Sequence, residues 1–410
     1  MIQICYGLMD RDGRYSKFVG LSIMSILQNS QSQIQIHILH DSTLSNENLK
    51  KLLAIDPTIK FYNLEKIFPN LNERIEHAYQ NSLKHHSAAA FYRLLIPEVI
   101  DVSKAIYLDC DTIINLDIAE LWNVDLGNFP IAAKPEHEIL PFEIPSEIRR
   151  QIDYEILYPK PMIKNGSIRS EDYFNSGVMI LNLDLLRDFQ TFEKSLKFSS
   201  EHPECKHVEQ DPLNFLFANR YLKLESYFDI FTWQLRKFLQ LTNSTIESGD
   251  CIFHFGGMDY GFDKNFLPDR LFMQFLFRSP WALDSFKNLF DYAIETADKS
   301  KFRYQKLINF HGSRIYFAPK NLIETLKDFF PPNQNDLILD STTPIDELIE
   351  LLRQNRICIF LFEFAKQSQI FREILESHGF FEDETIFDTM KLLTKSQGIS
   401  TGTRNFVRRI

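Results

Sequence analysis

The chain has 410 residues, 44% of them hydrophobic, enough for a core larger than that of one typical domain. Its 45 basic and 55 acidic residues leave a formal charge of −10. That argues against a nucleic-acid partner, because phosphate backbones select a basic excess. Five cysteines (Cys5, Cys110, Cys205, Cys251, Cys358) are scattered, with no C-x-x-C pair, so reduced core thiols in a cytoplasmic protein are expected. No apolar run reaches bilayer length, and the first residues read as a strand rather than a signal peptide.

Strand-like and helix-like segments alternate from the start. Ile2 to Leu8 reads as a strand, Lys17 to Gln28 as an amphipathic helix, and Ile34 to Leu39 as a second strand. Asn46 to Ala54 is a predicted helix with Ser45 as its N-cap. Ile59 to Asn63 is a short strand, and Ser87 to Leu95 is helical and stops before Pro97. Ala105 to Leu108 is an apolar run of the kind a buried parallel strand requires. This order implies a mostly parallel sheet with helices on both faces. Beyond it, Ile131 to Ala133 is a strand. Glu136 to Ser170 is a long polar insertion of the lid or binding-loop type. Val178 to Leu183 is a strand, Asp184 to Lys197 a helix, Pro212 to Ala218 a helix and Ile252 to Phe255 a strand. Phe330 to Asp336 reads as a linker. It precedes a small α/β module whose second turn, Glu363 to Ser368, has no glycine for close phosphate approach.

The chemistry concentrates where the fourth strand ends, at Asp109-Cys110-Asp111. Two carboxylates one residue apart at a strand's C-terminal edge offer hard oxygen ligands where open α/β sheets bind ligands. Such a pair suits Mn²⁺ or Mg²⁺ shared with substrate phosphates; a plain polar turn is the alternative. His254, in Phe253-His254-Phe255-Gly256-Gly257, is a candidate third ligand, and its glycines would admit a diphosphate. A satisfied core histidine is the alternative there. Asn175-Ser176-Gly177 has side chains that bond sugar hydroxyls, or that form an Asx turn. Glu209-Gln210-Asp211 opens a helix before Pro212. An Asp-x-Asp-x-Thr phosphatase loop does not match, because Thr112 stands one place too early.

In this order the motifs make the chain resemble glycosyltransferase family 8, the bacterial lipopolysaccharide galactosyltransferase and glycogenin group. The resemblance covers roughly Ile2 to Phe277. It is carried by Ser22 to Leu27, Phe91-Tyr92-Arg93-Leu94, Tyr107 to Asp111, Leu121-Trp122, Phe174 to Gly177 and Gln210-Asp211. It implies a GT-A fold, a Rossmann-like mixed and mostly parallel sheet with helices on both faces. With that extent and the linker at Phe330 to Asp336, the expected boundaries are 1–278 for the GT-A domain, 279–330 for a helical extension and 331–410 for the small α/β module of unknown role. The implied reaction is retaining transfer of a hexose from a UDP-sugar to a glycan or lipid-linked acceptor, with Mn²⁺ or Mg²⁺.

Carried over residue by residue, Asp109, Asp111 and His254 are the metal ligands. Gly7, Asp10, Asp12, Tyr15, Arg93, Asp109, Cys110, Asn175, Ser176, Gly257 and Lys264 are the donor-binding set. Gln210, Glu209 and Glu136 form the catalytic set, with Gln210 under the anomeric carbon. The longer first turn, Met9 to Tyr15, leaves open whether Asp10 or Asp12 meets uracil and ribose. Glu136 and Glu209 stand where the family commonly has Asp, and Tyr260 stands at the usual lysine position, with Lys264 as a replacement charge. A catalytically weak nucleotide-sugar or glycan-binding protein is the competing reading. By family analogy the product is a surface polysaccharide or lipid-linked glycan. The basic Arg404 to Ile410 tail reads as a frayed, solvated end, with peripheral contact with the inner face of the plasma membrane as the alternative.

Overall fold

Strand β1 (Ile2–Leu8) lies in the middle of a seven-stranded sheet and is buried on both faces, which is why its sequence is nearly all apolar. The computed structural model describes residues 1–78, 88–153, 160–205, 207–256, 263, 265–285, 313–329, 332–354, 356–362, 365–381 and 385–388. They fall into two units, Met1–Ser285 and Phe286–Ile410. In the first unit β1 is joined by β2 (Ile34–His40), β3 (Lys60–Asn63), β4 (Lys104–Leu108), β5 (Thr112–Ile114), β6 (Ile131–Pro135), β7 (Phe174–Asn182), β8 (Leu222–Lys223), β9 (Ile230–Phe231) and β10 (Ile252–His254). The main sheet runs β3-β2-β1-β4-β7-β6-β8, and β5-β10-β9 form a second, smaller sheet.

In the main sheet all neighbours are parallel except at β7, which runs antiparallel to both β4 and β6. Successive residues send side chains to opposite faces, so two apolar layers form. Cys5, Tyr107 and Met179 pack in one, and Ile4, Tyr6, Ile106 and Ile180 in the other. The helix Arg14–Asn29 covers the second layer with Val19, Ile23 and Ile26. Ser45 caps the helix Asn46–Ile55 as expected, its hydroxyl accepting from Asn48 N at 3.1 Å. All five cysteines are buried and free. Among the described residues no helix is long and apolar enough to cross a membrane.

Three details differ from the sequence reading. Ala88–Leu95 is a 3₁₀ segment, and a short helix, Ile96–Val99, continues past it. Pro97 sits in that helix's first turn, where its missing N–H costs nothing. The single helix expected over Asp184 to Lys197 is two, Leu183–Asp188 and Thr191–Glu201. Gln190 between them adopts a left-handed conformation (φ 55°). Arg187 ties the first of them down by donating to the carbonyls of Pro97, Ile100 and Val102, while Phe192 and Leu196 turn the second into the core.

The second unit is a parallel sheet in the order β12-β11-β13-β14, where β11 is Arg314–Ala318, β12 Leu337–Asp340, β13 Ile357–Phe360 and β14 Ile386–Asp388. This corrects the expected boundaries. Strand β11 lies inside the stretch 279–330 expected to be a helical extension, and Ile315 to Ala318 are buried as a central strand must be. Residues 332–336 of the expected linker form a loop between elements of that sheet. The Asp336 carboxylate accepts from the backbone N–H groups of Arg314 at 2.9 Å and Asn333 at 2.8 Å.

Candidate functional site

The antiparallel run of β7 builds the site. Leu108 pairs with Val178, and Asp109 N–H continues the ladder by donating to Gly177 O at 2.7 Å. A parallel β7 would have carried its N-terminal residues to the far edge. Run in reverse, it sets Asn175 and Ser176 beside Asp109. The second sheet brings the imidazole: His254 pairs with Thr112 across β10 and β5, and Phe255 N–H donates to Asp111 O at 2.9 Å.

Asp109, Asp111 and His254 therefore meet, each offering a ligand atom, with those atoms within 4.8 Å of one another. His254 Nε2 lies 3.6 Å from Asp109 Oδ2 and 3.5 Å from Asp111 Oδ1. Its Nδ1 lies 2.9 Å from Asp229 Oδ1, and its ring stacks on Phe231 at 4.5 Å between centroids. The carboxylate behind the imidazole fixes the ring and frees Nε2 for a cation, the arrangement found behind metal-binding histidines. The donor set, two carboxylates and one imidazole, fits a small divalent ion with open positions for substrate oxygens.

Electrostatics agree with that fit. Burial pushes the Asp109 carboxyl up to about 6, against the pull of Arg93 and His254 and with help from Asp111. Burial opposes the charged His254, yet Asp229 and Asp111 outweigh it and hold the imidazole well above its ordinary range. A cation would take the place of that proton among the same oxygens.

Arg93 links the cluster to the rest of the site. It is 6% exposed, and burial opposes its charge, but Asp109 and Glu209 more than compensate. Nη2 donates to Asp109 Oδ1 at 2.8 Å and lies 3.2 Å from Glu209 Oε1, while Nη1 donates to Ser176 O at 2.7 Å. Tyr107 also donates to Asp109 Oδ1, at 2.7 Å. The Arg93 segment crosses β1 at Gly7, where an added Cβ would sit 3.0 Å from Ala89 O and 3.1 Å from Tyr92 Cβ. Gly7 thus works through packing, and Cys110 does too: its buried thiol donates to Gly7 O at 3.2 Å.

Gln210 opens the helix Gln210–Phe217, which is pinned to β7 by the Asn214 amide bonding both Phe174 N–H and Phe174 O at 2.8 Å. Gln210 Oε1 accepts from Ser176 N at 3.0 Å and Asn175 Nδ2 at 3.1 Å, and Nε2 donates to Glu136 Oε2 at 3.0 Å. Ser176 Oγ donates to Glu209 Oε1 at 3.2 Å. The expected catalytic set is thus contiguous with the cluster through Ser176 and Arg93.

At the first turn, Asp10 is buried with both oxygens engaged, by Ser16 N at 3.0 Å and Asn48 Nδ2 at 2.9 Å. Asp12 pairs with Arg14 at the surface. Tyr15 lies in the field of Asp111, and burial foremost with that field pushes its phenol up. Gly257, Tyr260, Lys264 and the Arg404 to Ile410 tail lie outside the described residues. Asp111 is enclosed, at 8% exposed, while the Asp109 side chain remains 23% exposed.

Two participants escaped the sequence reading. Asp229 is fully buried behind His254. Its only sequence signal is a lone acid inside the apolar Tyr227 to Phe231 stretch. Gly177 was legible as part of a motif but not for its role. A Cβ there would lie 2.3 Å from His254 Cε1 and 2.9 Å from Asp109 Oδ2.

Comparison with known proteins follows the same outline. The family model "Glycosyl transferase family 8" matches residues 8–257. General stress protein A of Bacillus subtilis (strain 168) is 26% identical over 234 residues, 55% of this chain and 73% of that protein. A putative glycosyltransferase of Haemophilus influenzae is 26% identical over 209 residues, 50% of this chain but only 57% of that protein. A crystal structure of an active-site mutant of LgtC superposes with a TM-score of 0.51 at 19% identity, covering 68% of this chain and 96% of that one. The fold is thus GT-A, and the chain belongs to glycosyltransferase family 8.

Proposed function

We propose that this glycosyltransferase moves a hexose from a UDP-sugar to a glycan or lipid-linked acceptor with retention of anomeric configuration, and that it does so with Mn²⁺ or Mg²⁺. The observation that carries the reading is the convergence of Asp109, Asp111 and His254 beside the buried Arg93. Asp109, Asp111 and His254 would hold the ion, whose positive charge offsets the charge that develops on a departing diphosphate. Arg93 holds Asp109 in place and presents a fixed cation at the nucleotide side. Asn175 and Ser176, buried and bonded to Gln210, Gly177, Arg93 and Glu209, would line the donor pocket. Glu209 and Gln210 supply oxygen dipoles beside the expected anomeric centre, and their enclosed setting strengthens those interactions relative to water. Asp12, Tyr15, Gly257 and Lys264 belong to the same proposal as donor-binding residues, with Gly7 and Cys110 supporting the site through packing. Asp10, with both oxygens engaged inside the protein, shapes the first turn instead.

The test is donor consumption. UDP-glucose and UDP-galactose are incubated separately with the protein and Mn²⁺, and released UDP is measured with and without EDTA. Turnover abolished by EDTA is expected. Equal turnover in EDTA, or none with any UDP-sugar, contradicts the proposal.

A second expectation concerns the residue behind the imidazole. Asp229→Asn should weaken Mn²⁺ binding about 10- to 100-fold while the fold persists, because losing the carboxylate frees the His254 ring. Titration of Mn²⁺ into the variant, followed by electron paramagnetic resonance of free Mn²⁺, measures this directly. An unchanged affinity would show that Asp229 is only a core acid.

A further inference from the structure

The geometry points to Lys160 as a positioning residue for the reaction centre: it holds Glu136, and through Glu136 it sets the Gln210 amide. This inference rests on the proposed sugar transfer and deepens it.

The Gln210 amide has one defined orientation. Ser176 N–H is a donor under all conditions, so the Gln210 atom facing it at 3.0 Å must be the oxygen. The nitrogen is then left to face Glu136 Oε2 at 3.0 Å, where it meets a carboxylate. Glu136 is therefore the nearest acceptor at the far end of the amide, with the Tyr173 hydroxyl at 3.4 Å beside it, and the group that fixes Glu136 helps to fix Gln210.

Lys160 fixes it. Its ammonium forms an ion pair with the same Glu136 Oε2 and lies over the Tyr173 ring, 4.0 Å from the centroid. The Lys160 side chain is 8% exposed and that of Glu136 18%, so the pair is largely out of water, where a charge-assisted bond is strong and a lone partner costly. The same cation acts on Asp211, whose carboxyl burial raises and which the Tyr173 hydroxyl and Lys160 pull back down. Tyr173 itself donates to Asp211 Oδ1 at 2.6 Å. Lys160 thus pairs with Glu136 and lies over the ring of Tyr173, whose hydroxyl bonds Asp211.

Its backbone is held in place. Lys160 caps the short helix Pro161–Lys164, its carbonyl accepting from Ile163 N at 3.1 Å and Lys164 N at 3.0 Å. Met162 and Ile168 then pack in one apolar cluster with Tyr173. The polar insertion therefore contributes a cation to the sugar end of the site.

The experiment compares Lys160→Met, Lys160→Arg, Glu136→Gln and the Lys160→Met/Glu136→Gln double variant. The readouts are kcat for UDP-galactose or UDP-glucose consumption with Mn²⁺, calorimetric affinity for UDP plus Mn²⁺, and melting temperature. Lys160→Met is expected to lower kcat about 10- to 100-fold, the scale of a small misplacement of a reacting group. Affinity for UDP plus Mn²⁺ should stay within about twofold, because the nucleotide half of the site is built from other residues. Lys160→Arg should restore most of kcat, and the double variant should be no worse than Lys160→Met alone. Native kcat in Lys160→Met overturns the inference. So does a loss that Lys160→Arg fails to rescue, or one that falls equally on UDP affinity. Absence of turnover in the unsubstituted protein overturns the sugar-transfer reading itself, and this role with it.

Discussion

Asp111→Asn is expected to lower metal-dependent donor turnover by at least about 10²- to 10³-fold, the scale set by removing one electrostatic stabiliser from an enclosed site. The neutral amide keeps the size of the side chain and removes the charge that a divalent ion requires. Asp109→Asn should be at least as damaging, for a different mixture of reasons. Asp109 Oδ1 also accepts from Arg93 and Tyr107, so the variant leaves the buried Arg93 guanidinium paired with Glu209. Asp111→Asn is consequently the cleaner probe of the cation, and its far-ultraviolet circular dichroism should match the parent. Either variant with near-native turnover in Mn²⁺ would remove the metal assignment.

Gly177→Ala should be nearly as severe although it adds one methyl group and no charge. The new Cβ would stand 2.3 Å from His254 Cε1 and 2.9 Å from Asp109 Oδ2, distances that no packed carbon tolerates. Both neighbours are themselves fixed, His254 by Asp229 and Asp109 by Arg93. Relief therefore requires the ligands to part. Overpacking of this kind costs about 1–3 kcal/mol of stability, and the expected loss of turnover is about 100-fold. Urea unfolding and Mn²⁺ titration separate the two effects. An alanine variant with native Mn²⁺ affinity would show that the cluster yields without harm.

These expectations trace what the sequence displayed and what it hid. Asp109 and Asp111 were legible because they end an apolar strand, and no packing need explains two acids there. His254 was legible as a polar residue in an apolar strand next to glycines, but its meeting with the aspartates depends on β10 pairing with β5, a contact between segments far apart in the chain. Ser45 declared itself through local capping chemistry, which a short window contains. Pro97 misled because a proline ends one helix and begins another with equal ease.

The remainder lay in tertiary structure. Asp229 has no motif around it and acquires its role from the neighbour that β9 and β10 supply. Lys160 sits in a polar insertion whose sequence resembles any surface loop, and only the fold shows its ammonium against Glu136. The first turn shows the same limit: Asp10 and Asp12 are indistinguishable by type, and burial and hydrogen bonds assign Asp10 to the interior. The stretch 279–330 was read as helical although Ile315 to Ala318 form a central strand of the second unit. A four-residue apolar run fits either element by periodicity.

At the centre of the proposed site stands a cation that Asp109, Asp111 and His254 would hold against a diphosphate. Calorimetric titration of UDP into the protein tests this most directly, once with Mn²⁺ and once with EDTA, repeated on His254→Ala. The account predicts binding of UDP in Mn²⁺, its loss in EDTA, and its loss in His254→Ala under both conditions. UDP binding of equal strength with and without the cation would contradict it.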